Sequence, residues 1–521
     1  MHRWNLAGAL ASAIVTVIAS GTTAHAATPS NPKAAAWYQA GAQVVSTNQR
    51  VNPNERKAKN VILFVGDGMG ISTVTAARIL EGQLRGKMGE ENLLAFERLP
   101  HVALSKTYSA NQQTSDSAPT ATAMVAGIKT NDGAISVDED IDRNEKDAAI
   151  TSGHAVQTIL EQAEARGLST DIVTTARVTH ATPAVNYAHI GNRDWESDNN
   201  LPAGATVKDI AAQLVEAQKK YGIEVVLGGG RSQFYPNTVN DPEYPSRVGN
   251  RRDGRKLHEE WVAARPGSAY VWNQAQFNAI NPASTSHLLG LFERSHVQYE
   301  EDRQPFDGQP SRDAAGEPSL AEMTGKAIEI LQKNQKGFYL MVEAGRIDHG
   351  HHAGNAFRAL TDTIALSDAV QTAMGMTDPS DTLIVVTADH SHVFTIAGYP
   401  KRGNPILGFV TEPNRSGPTL ALDGLPYTTV SYANGQGFDV LPVGGDTNYG
   451  ASARPGRFLD LSMMDVVRTQ GFHQEALVPL SAETHAGEDV AIYAGGPKAH
   501  LFQGTMEQNT IYHVMKTALG F

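Results

Sequence analysis

The sequence predicts an α/β fold: a three-layer sandwich in which a large, mostly parallel central sheet is flanked by helices, with a small inserted β-rich subdomain. Three observations lead there. Short apolar runs rich in β-branched residues recur at 60–65, 102–108, 171–175, 223–227, 338–342, 382–387 and 490–493, as strands buried on both faces require. Segments of helical period lie between several of them, at 155–166, 207–221 and 319–333, the alternation that builds a parallel sheet covered on both sides. Polar clusters follow directly on the strand runs, and ligands of open α/β sheets gather at the carboxyl ends of strands.

Taken in order, residues 1–26 begin Met1-His2-Arg3, run through an apolar stretch at 6–18 and end Ala24-His25-Ala26, a small-x-small cleavage pattern. They read as a secretory signal peptide. The stretch is broken by Ser and Thr and falls short of the about 20 apolar residues of a membrane anchor. An N-terminal arm is expected at 27–58, with a short helix at 34–45, and a main α/β domain at 59–395. Within that domain an insertion is expected at about 235–318, opening on an irregular Pro/Asn/Asp/Arg excursion. The Gly/Pro-rich texture of 396–480, with strand signals such as 427–432, marks the β-rich subdomain, and 481–521 returns to the main domain. A chain of 521 residues, 41% apolar, can bury one such large core or, by length alone, about three smaller ones.

Cysteine is absent, which removes any disulfide framework and any thiolate metal site. A transition-metal site must therefore use His, Asp and Glu, the donor set of open catalytic zinc centres rather than closed structural ones. The net charge of −12 argues against nucleic acid or an anionic membrane as partner. An anionic substrate would need local positive charge, which bound metals can supply.

Three segments carry chemistry. The run 343–352 holds Glu343, Asp348, His349, His351 and His352 after a strand; a helix starting near Asp348 would set Asp348 and His352 at i and i+4, on one face and able to share a cation. Gly66-Asp67-Gly68-Met69-Gly70 places Asp67 at a strand end where glycines let the backbone turn around an ion; the alternative is a helix cap by Asp67. Ser117, in Asp116-Ser117-Ala118-Pro119, falls at a helix start, where N–H groups and the helix dipole favour both an alkoxide and a phosphate; its alternative is an N-cap. No Gly-x-Ser-x-Gly elbow surrounds it, so a nucleophilic Ser117 would need metal for activation. Gly228-Gly229-Gly230-Arg231 lacks the Lys-Ser/Thr ending of a phosphate loop and reads as a tight turn.

Together, and in this order, the stretches 60–70, 116–118, 174–183, 187–193, 343–352, 387–392 and 483–489 resemble the alkaline phosphatase family, its animal-type branch more than the enterobacterial one. The resemblance spans nearly the whole chain after residue 26. It implies hydrolysis of phosphate monoesters to alcohol and inorganic phosphate at alkaline pH, through a covalent phosphoserine on Ser117, with two zinc ions and one magnesium per subunit. It implies Asp348, His352 and His485 as ligands of a first zinc, Asp67, Asp389, His390 and Ser117 of a second, and Asp67, Thr182 and Glu343 of magnesium. Arg193 matches the arginine that clamps phosphate oxygens, a task suited to its bidentate fork; the alternative is a surface ion pair with Asp194 or Asp198. His180 and His349 match positions that are both His in animal-type members and are expected just outside the ligands. His392 is expected near the second zinc, and His351 away from metal. Glu243, the carbonyl of Phe292, Glu293 and Glu317 match a calcium site, an oxygen set suited to a hard cation, with Glu317 in place of an aspartate. The resemblance also implies a homodimer, with Tyr399 reaching across the interface and the N-terminal helix embracing the partner. The lack of cysteine departs from the animal enzymes, and no lipid-anchor tail precedes Phe521. With the signal segment, these departures imply an exported bacterial enzyme, periplasmic or secreted, with no nucleic-acid-binding module. A phosphodiesterase or sulfatase on the same type of sheet, or a metal-binding protein without turnover, are the rival readings.

Overall fold

A computed structural model of the chain describes residues 31–304, 311, 313, 315–440 and 461–521. The signal segment and part of the β-rich stretch lie outside the described residues. The chain divides into two compact units, Met1–Asn52 and Pro53–Phe521. In the first, a helix spans Pro32–Asn48, longer at both ends than expected. Asn31 caps it by accepting from the N–H groups of Lys33 and Ala34, and Pro32 sits where a missing N–H costs nothing. The helix buries no residue and exposes Trp37, Tyr38, Val44 and Val45.

The second unit is built on a ten-stranded sheet: β1 (Asn60–Gly66), β2 (His101–Lys106), β3 (Ser169–Arg177), β4 (Val225–Gly229), β5 (Ser268–Val271), β6 (His287–Leu291), β7 (Phe338–Ala344), β8 (Thr382–Ala388), β9 (Val490–Gly495) and β10 (Thr505–Glu507). Across the sheet the order is β10-β2-β9-β8-β1-β7-β3-β4-β6-β5. β9 alone runs against both its neighbours; the remaining pairs are parallel.

Helices α1 (Ile71–Leu84), α2 (Ser117–Ala126), α3 (Ile210–Lys220), α4 (Leu320–Leu331), α5 (Arg346–His352), α6 (Ala356–Met376) and α7 (Thr510–Leu519) accompany the strands. Along β1 the side chains alternate between two cores. Val61, Leu63 and Val65 pack with residues of α2, α3 and α7, while Ile62 and Phe64 pack with residues of α1, α4 and α6. Two covered faces make three layers, and they explain why the run is apolar without interruption.

Strands β5, β6 and β10 were not legible as apolar runs. β5 and β10 lie at the two edges and are only partly buried, and β6 is broken by Gly290. The helix expected at 155–166 begins only at Ile159, because Thr158 and Glu161 close a reciprocal capping box there. The strand signal at 427–432 is realised as Val430–Gly435, since Thr428 turns its hydroxyl to Glu475.

Between 394 and 480 a three-stranded sheet forms from Phe394–Ile396, Val430–Gly435 and Ala476–Pro479, beside a two-stranded one from Asp439–Val440 and Phe472–His473. Phe409, Phe438, Val467 and Phe472 give this region a small core of its own. Ile406, Leu407, Val430, Tyr432 and Ala476 join the large core instead, so the region is fused to the main sheet.

Candidate active site

The expected site residues converge at the carboxyl ends of β1, β3, β7 and β8, the four adjacent strands at the middle of the sheet. β1 ends at Gly66 and delivers Asp67, which is fully buried. Asp67 caps nothing: α1 starts later, with Gly70 at its N-cap and no side-chain cap. Gly68 has φ +68°, and a Cβ there would stand 2.3 Å from His392 Nε2, so the turn excludes any larger residue. Ser117 is not a cap either. Asp116 holds that position and accepts from Ser117 N at 2.7 Å, leaving Ser117 at the first helical position with Oγ 3.1 Å from His390 Nε2 and 3.4 Å from Asp67 Oδ1.

The side chains sort into three groups with converging donor atoms. The first contains Asp348, His352, His485 and His392. Asp348 and His352 share the short helix α5 at the i, i+4 spacing, with His352 Nε2 3.2 Å from Asp348 Oδ1. His485 Nε2 lies 3.3 Å from the same oxygen and 3.1 Å from His352 Nε2. On their far sides His352 Nδ1 donates to Glu483 O at 2.7 Å and His485 Nδ1 to Ser115 O at 2.8 Å. Those bonds make Nδ1 the donor on each ring and turn both Nε2 atoms toward Asp348 Oδ1, the arrangement of a cation's ligands.

His392 is a correction to expectation: it stands with the first group, its Nε2 2.8 Å from Asp348 Oδ1, and its Nδ1 2.6 Å from Glu483 Oε2. Burial opposes its charge, but Glu483 and Asp348 push its pKa up to about 10, so it stands as an imidazolium bridging two carboxylates. Burial likewise opposes the charge of Asp348, yet His352, His392 and His485 hold its carboxyl well below the usual range.

The second group is Asp67, Asp389 and His390, all fully buried, with Ser117 alongside. Asp389 Oδ1 accepts from the N–H groups of Gly68 and His390 at 3.0 and 2.9 Å. Its Oδ2, and Oδ2 of Asp67, have no hydrogen-bond donor among the described residues. The third group shares Asp67 and adds Glu343 and His180, with the Thr182 hydroxyl beside Glu343. Beyond their contact with each other, Glu343 Oε1 and Thr182 Oγ1 are buried without a hydrogen-bond partner among the described residues. Burial, reinforced by Asp389, Asp348 and Glu343, pushes the Asp67 carboxyl well above its ordinary value. Burial pushes Glu343 up to about 7. Buried carboxylate oxygens without donors are costly unless a cation meets them. The donor sets therefore fit metal: imidazole and carboxylate in the first two groups suit zinc, and in the third, where His180 Nε2 is taken by Arg193, the oxygens of Asp67, Glu343 and Thr182 suit magnesium.

Arg193 faces this centre. Its Nη1 pairs with Asp116 and its Nη2 donates to His180 Nε2 at 2.9 Å. The alternative partners are engaged elsewhere: Asp194 with Arg143 at 2.9 Å, and Asp198 with Arg251 at 3.7 Å. His349 lies beside His180, with ring centroids 5.6 Å apart. His351 is buried behind the first group, bonded to Thr73 Oγ1 at 3.0 Å and to the Tyr432 hydroxyl at 2.8 Å. A cleft of ≈ 440 Å³, lined by Ser115, Asp116, His352 and His485, opens the centre to solvent. Tyr399 is 81% exposed.

The expected calcium residues form a separate cluster. Arg231 donates to Glu243 at 2.7 Å and to the Phe292 carbonyl at 3.0 Å. Glu293 accepts from the Tyr244 hydroxyl at 2.6 Å, and Glu317 from Gln298 N at 2.6 Å. Glu317 Oε2 and Asp313 Oδ2 are buried and have no partner among the described residues. Asp313, which sequence reasoning missed, presses on both Glu243 and Glu317: burial with Glu293 and Asp313 raises Glu243 to about 7, and burial with Asp313 and Glu293 raises Glu317 well above its ordinary value. The only local signal was an acid four residues before Glu317. Glu483 and Asp116 were also missed as individual residues, because their roles are to hold His392, His352 and Arg193.

A family model described as "Alkaline phosphatase" matches residues 58–521. The tissue-nonspecific alkaline phosphatase of Gallus gallus is 45% identical over 492 residues, 92% of this chain and 88% of that protein. An alkaline phosphatase of Gadus morhua is 44% identical, over 92% of this chain and 95% of that one. Among solved structures, the alkaline phosphatase of Thermus thermophilus superposes with a TM-score of 0.62 at 23% identity, covering 91% of this chain and 93% of its own.

Proposed function

Since the chain belongs to the alkaline phosphatase family, and is thereby a metal-dependent phosphoric monoester hydrolase, we propose that it works through a covalent phosphoserine on Ser117, with two zinc ions and one magnesium per subunit. The observation that carries this reading is the placement of Ser117: first in its helix, relieved of capping by Asp116, with Oγ in contact with Asp67 and His390. Asp348, His352 and His485 would hold the first zinc, Asp67, Asp389, His390 and Ser117 the second, and Asp67, Thr182 and Glu343 the magnesium. When bound, these ions supply Lewis-acid charge that lowers the pKa of oxygens they touch and offsets the charge of the phosphate.

The chain's own groups do the rest. Ser117 Oγ–H donates to Asp67 Oδ1, which holds the proton away from the approaching phosphorus. As Oγ attacks phosphorus in line its O–H bond breaks, the ester P–O bond breaks, and the leaving oxygen takes up a proton by way of solvent, so that the alcohol leaves through the cleft. Water then attacks the phosphoserine, its P–Oγ bond breaks, and inorganic phosphate departs with Ser117 restored. Arg193, aimed from both sides by Asp116 and His180, would grip two phosphate oxygens through both stages. His392, fixed by Glu483, orients Asp348, and His349 lines the same wall.

We further infer an alkaline working range, because ligand imidazoles must be neutral to bind metal. Calcium at Glu243, Phe292, Glu293 and Glu317 is supported by the unpartnered oxygen of Glu317. A homodimer is supported by the exposed apolar side of the Pro32–Asn48 helix. Export is supported by the composition of 1–26; among the described residues no helix is long and apolar enough to cross a membrane. The domain boundaries proposed from sequence at 58/59, 395/396 and 480/481 follow the changes of texture there. The deciding experiment is elemental analysis of the purified protein with parallel assays on a monoester and its diester. Zinc and magnesium with monoester preference support the reading. Diester preference, or metal without turnover, refutes it.

A further inference from the structure

Behind Arg193, three imidazoles pack among three guanidiniums. His296, on the loop after β6, has its ring centroid 4.1 Å from that of His349 and 5.4 Å from that of His180, edge to face in both cases. A guanidinium only donates, so every imidazole nitrogen it bonds must accept. Arg193 Nη2 gives to His180 Nε2 at 2.9 Å, Arg177 Nη1 to His296 Nε2 at 2.5 Å, and Arg346 Nη1 to His349 Nδ1 at 3.1 Å. Each arginine thus has its own acceptor. Arg177 is held from the other side by Glu196, through Nε at 2.8 Å and Nη2 at 2.6 Å.

The loop that bears His296 is seated on the glycine run that matched no phosphate motif. Gly230 N donates to Ser295 O at 2.5 Å and Val297 N to Thr175 O at 3.0 Å. A Cβ on Gly229 would stand 2.1 Å from Ser295 O, so two backbones meet there with no room for a side chain. His296 is therefore delivered to the wall of the site by a close backbone contact specific to Gly229.

We propose that His296 is a positioning residue for the phosphate clamp: it occupies Arg177 and packs against His180, so that His180 Nε2 remains the acceptor of Arg193. The inference rests on the reading of Arg193 as that clamp. Without His296, Arg177 Nη1 keeps among the described residues only the Ser295 hydroxyl, at 3.3 Å, and its charge, which already acts on His180, meets that ring with no imidazole packed against it. Arg193 is then held by Asp116 alone, and its fork loses its aim.

The test uses the full-length metal-loaded enzyme at equal zinc content, with the Kd of inorganic phosphate from calorimetry and KM and kcat for phenyl phosphate. His296→Ala is expected to weaken phosphate binding and raise KM by about tenfold, with a smaller change in kcat. His296→Gln keeps an acceptor for Arg177 and is expected to recover most of that loss. In an Arg193→Lys background, itself weakened in phosphate binding, His296→Ala is expected to add nothing. Should His296→Ala fail to fold, His296→Leu takes its place against His296→Gln. An unchanged Kd in the folded variant, or the same fold-change in the Arg193→Lys background, overturns the proposal alone. An unchanged Kd in Arg193→Lys by itself overturns the clamp reading and this proposal with it.

Discussion

Replacing Gly68 by alanine tests whether the strand-end turn is built around His392. Two costs follow from the structure. The backbone sits at φ +68°, where an L side chain costs about 1–2 kcal/mol. The new Cβ would also fall 2.3 Å from His392 Nε2 and 2.4 Å from its Cδ2. His392 cannot swing aside freely, because Glu483 and Asp348 hold its two nitrogens at 2.6 and 2.8 Å. Forcing such an overlap in a packed interior costs about 1–3 kcal/mol more. Together these give about 2–5 kcal/mol. At about 2 cal/mol/K of unfolding entropy per residue, a chain of this size loses about 1 °C per kcal/mol, so the thermal midpoint should fall by about 2–5 °C. The shift also displaces Asp348, and zinc affinity and monoester turnover should drop by about tenfold or more. Gly86→Ala is the control: its φ is +72° and nothing lies within 4 Å of its Cβ, so it should show backbone strain alone with full turnover. Calorimetric melting, zinc analysis and steady-state assay are run on both. If Gly68→Ala matches Gly86→Ala in midpoint, zinc content and turnover, the steric reasoning is refuted.

Three further outcomes are expected. Ser117→Ala should lose at least about a thousandfold in turnover and yield no acid-stable phosphoprotein, while still binding inorganic phosphate; undiminished turnover would remove Ser117 from the mechanism. Stripping the metals with a chelator should abolish activity and lower the melting midpoint, because Asp67, Asp389 and Glu343 keep buried oxygens with no donor among the described residues. Zinc and magnesium together should restore both, and a stripped protein with an unshifted midpoint would count against the three-group assignment. Far from the site, Glu164 and Glu224 flank Thr170 at the amino end of β3, bonding its hydroxyl at 2.5 Å and its N–H at 2.7 Å. Burial, with Glu224 beside it, raises Glu164 from 4.5 to about 8, and burial raises Glu224 from 4.5 to about 7. Both bind their proton more tightly folded than unfolded, so their stabilisation is complete below the unfolded value and is lost as pH rises through about 7 to 8. Urea midpoints measured across that window should decline less steeply for Glu164→Gln than for the parent chain, and parallel curves would show that the pair does not titrate there.

The runs of β1, β7 and β8 were legible because a strand buried on both faces needs an unbroken apolar sequence; the run at 102–108 belongs to β2, whose burial alternates and whose Val102 is exposed. The edge strands β5 and β10 were not, because half-exposed backbone tolerates mixed residues. At the site, Asp348 and His352 were legible as a pair because helical spacing is local. His392 was misplaced for the complementary reason. Two residues from His390, it looked like a neighbour of the second group, but the pairing of Ser391–His392 with His485–Ala486 sets it opposite His485. His296 carries no local signal and Asp313 only its spacing to Glu317, since their significance depends on the residues 243, 317, 177 and 180 that the chain brings beside them.

The sequence by itself determined the layering and the chemical inventory: which runs must be buried, which donors exist without cysteine, and which carboxylates and imidazoles follow strand ends. Periodicity and composition are local properties, and burial of apolar surface acts on them directly. Only the tertiary structure decided the place of His392 beside the first group, the release of Ser117 from capping by Asp116, and the seating of the His296 loop on Gly229. Those outcomes depend on contacts between residues far apart in the chain, made by strand register and close backbone approach. A one-residue change of register would exchange the faces, and no pattern within a single segment encodes that choice.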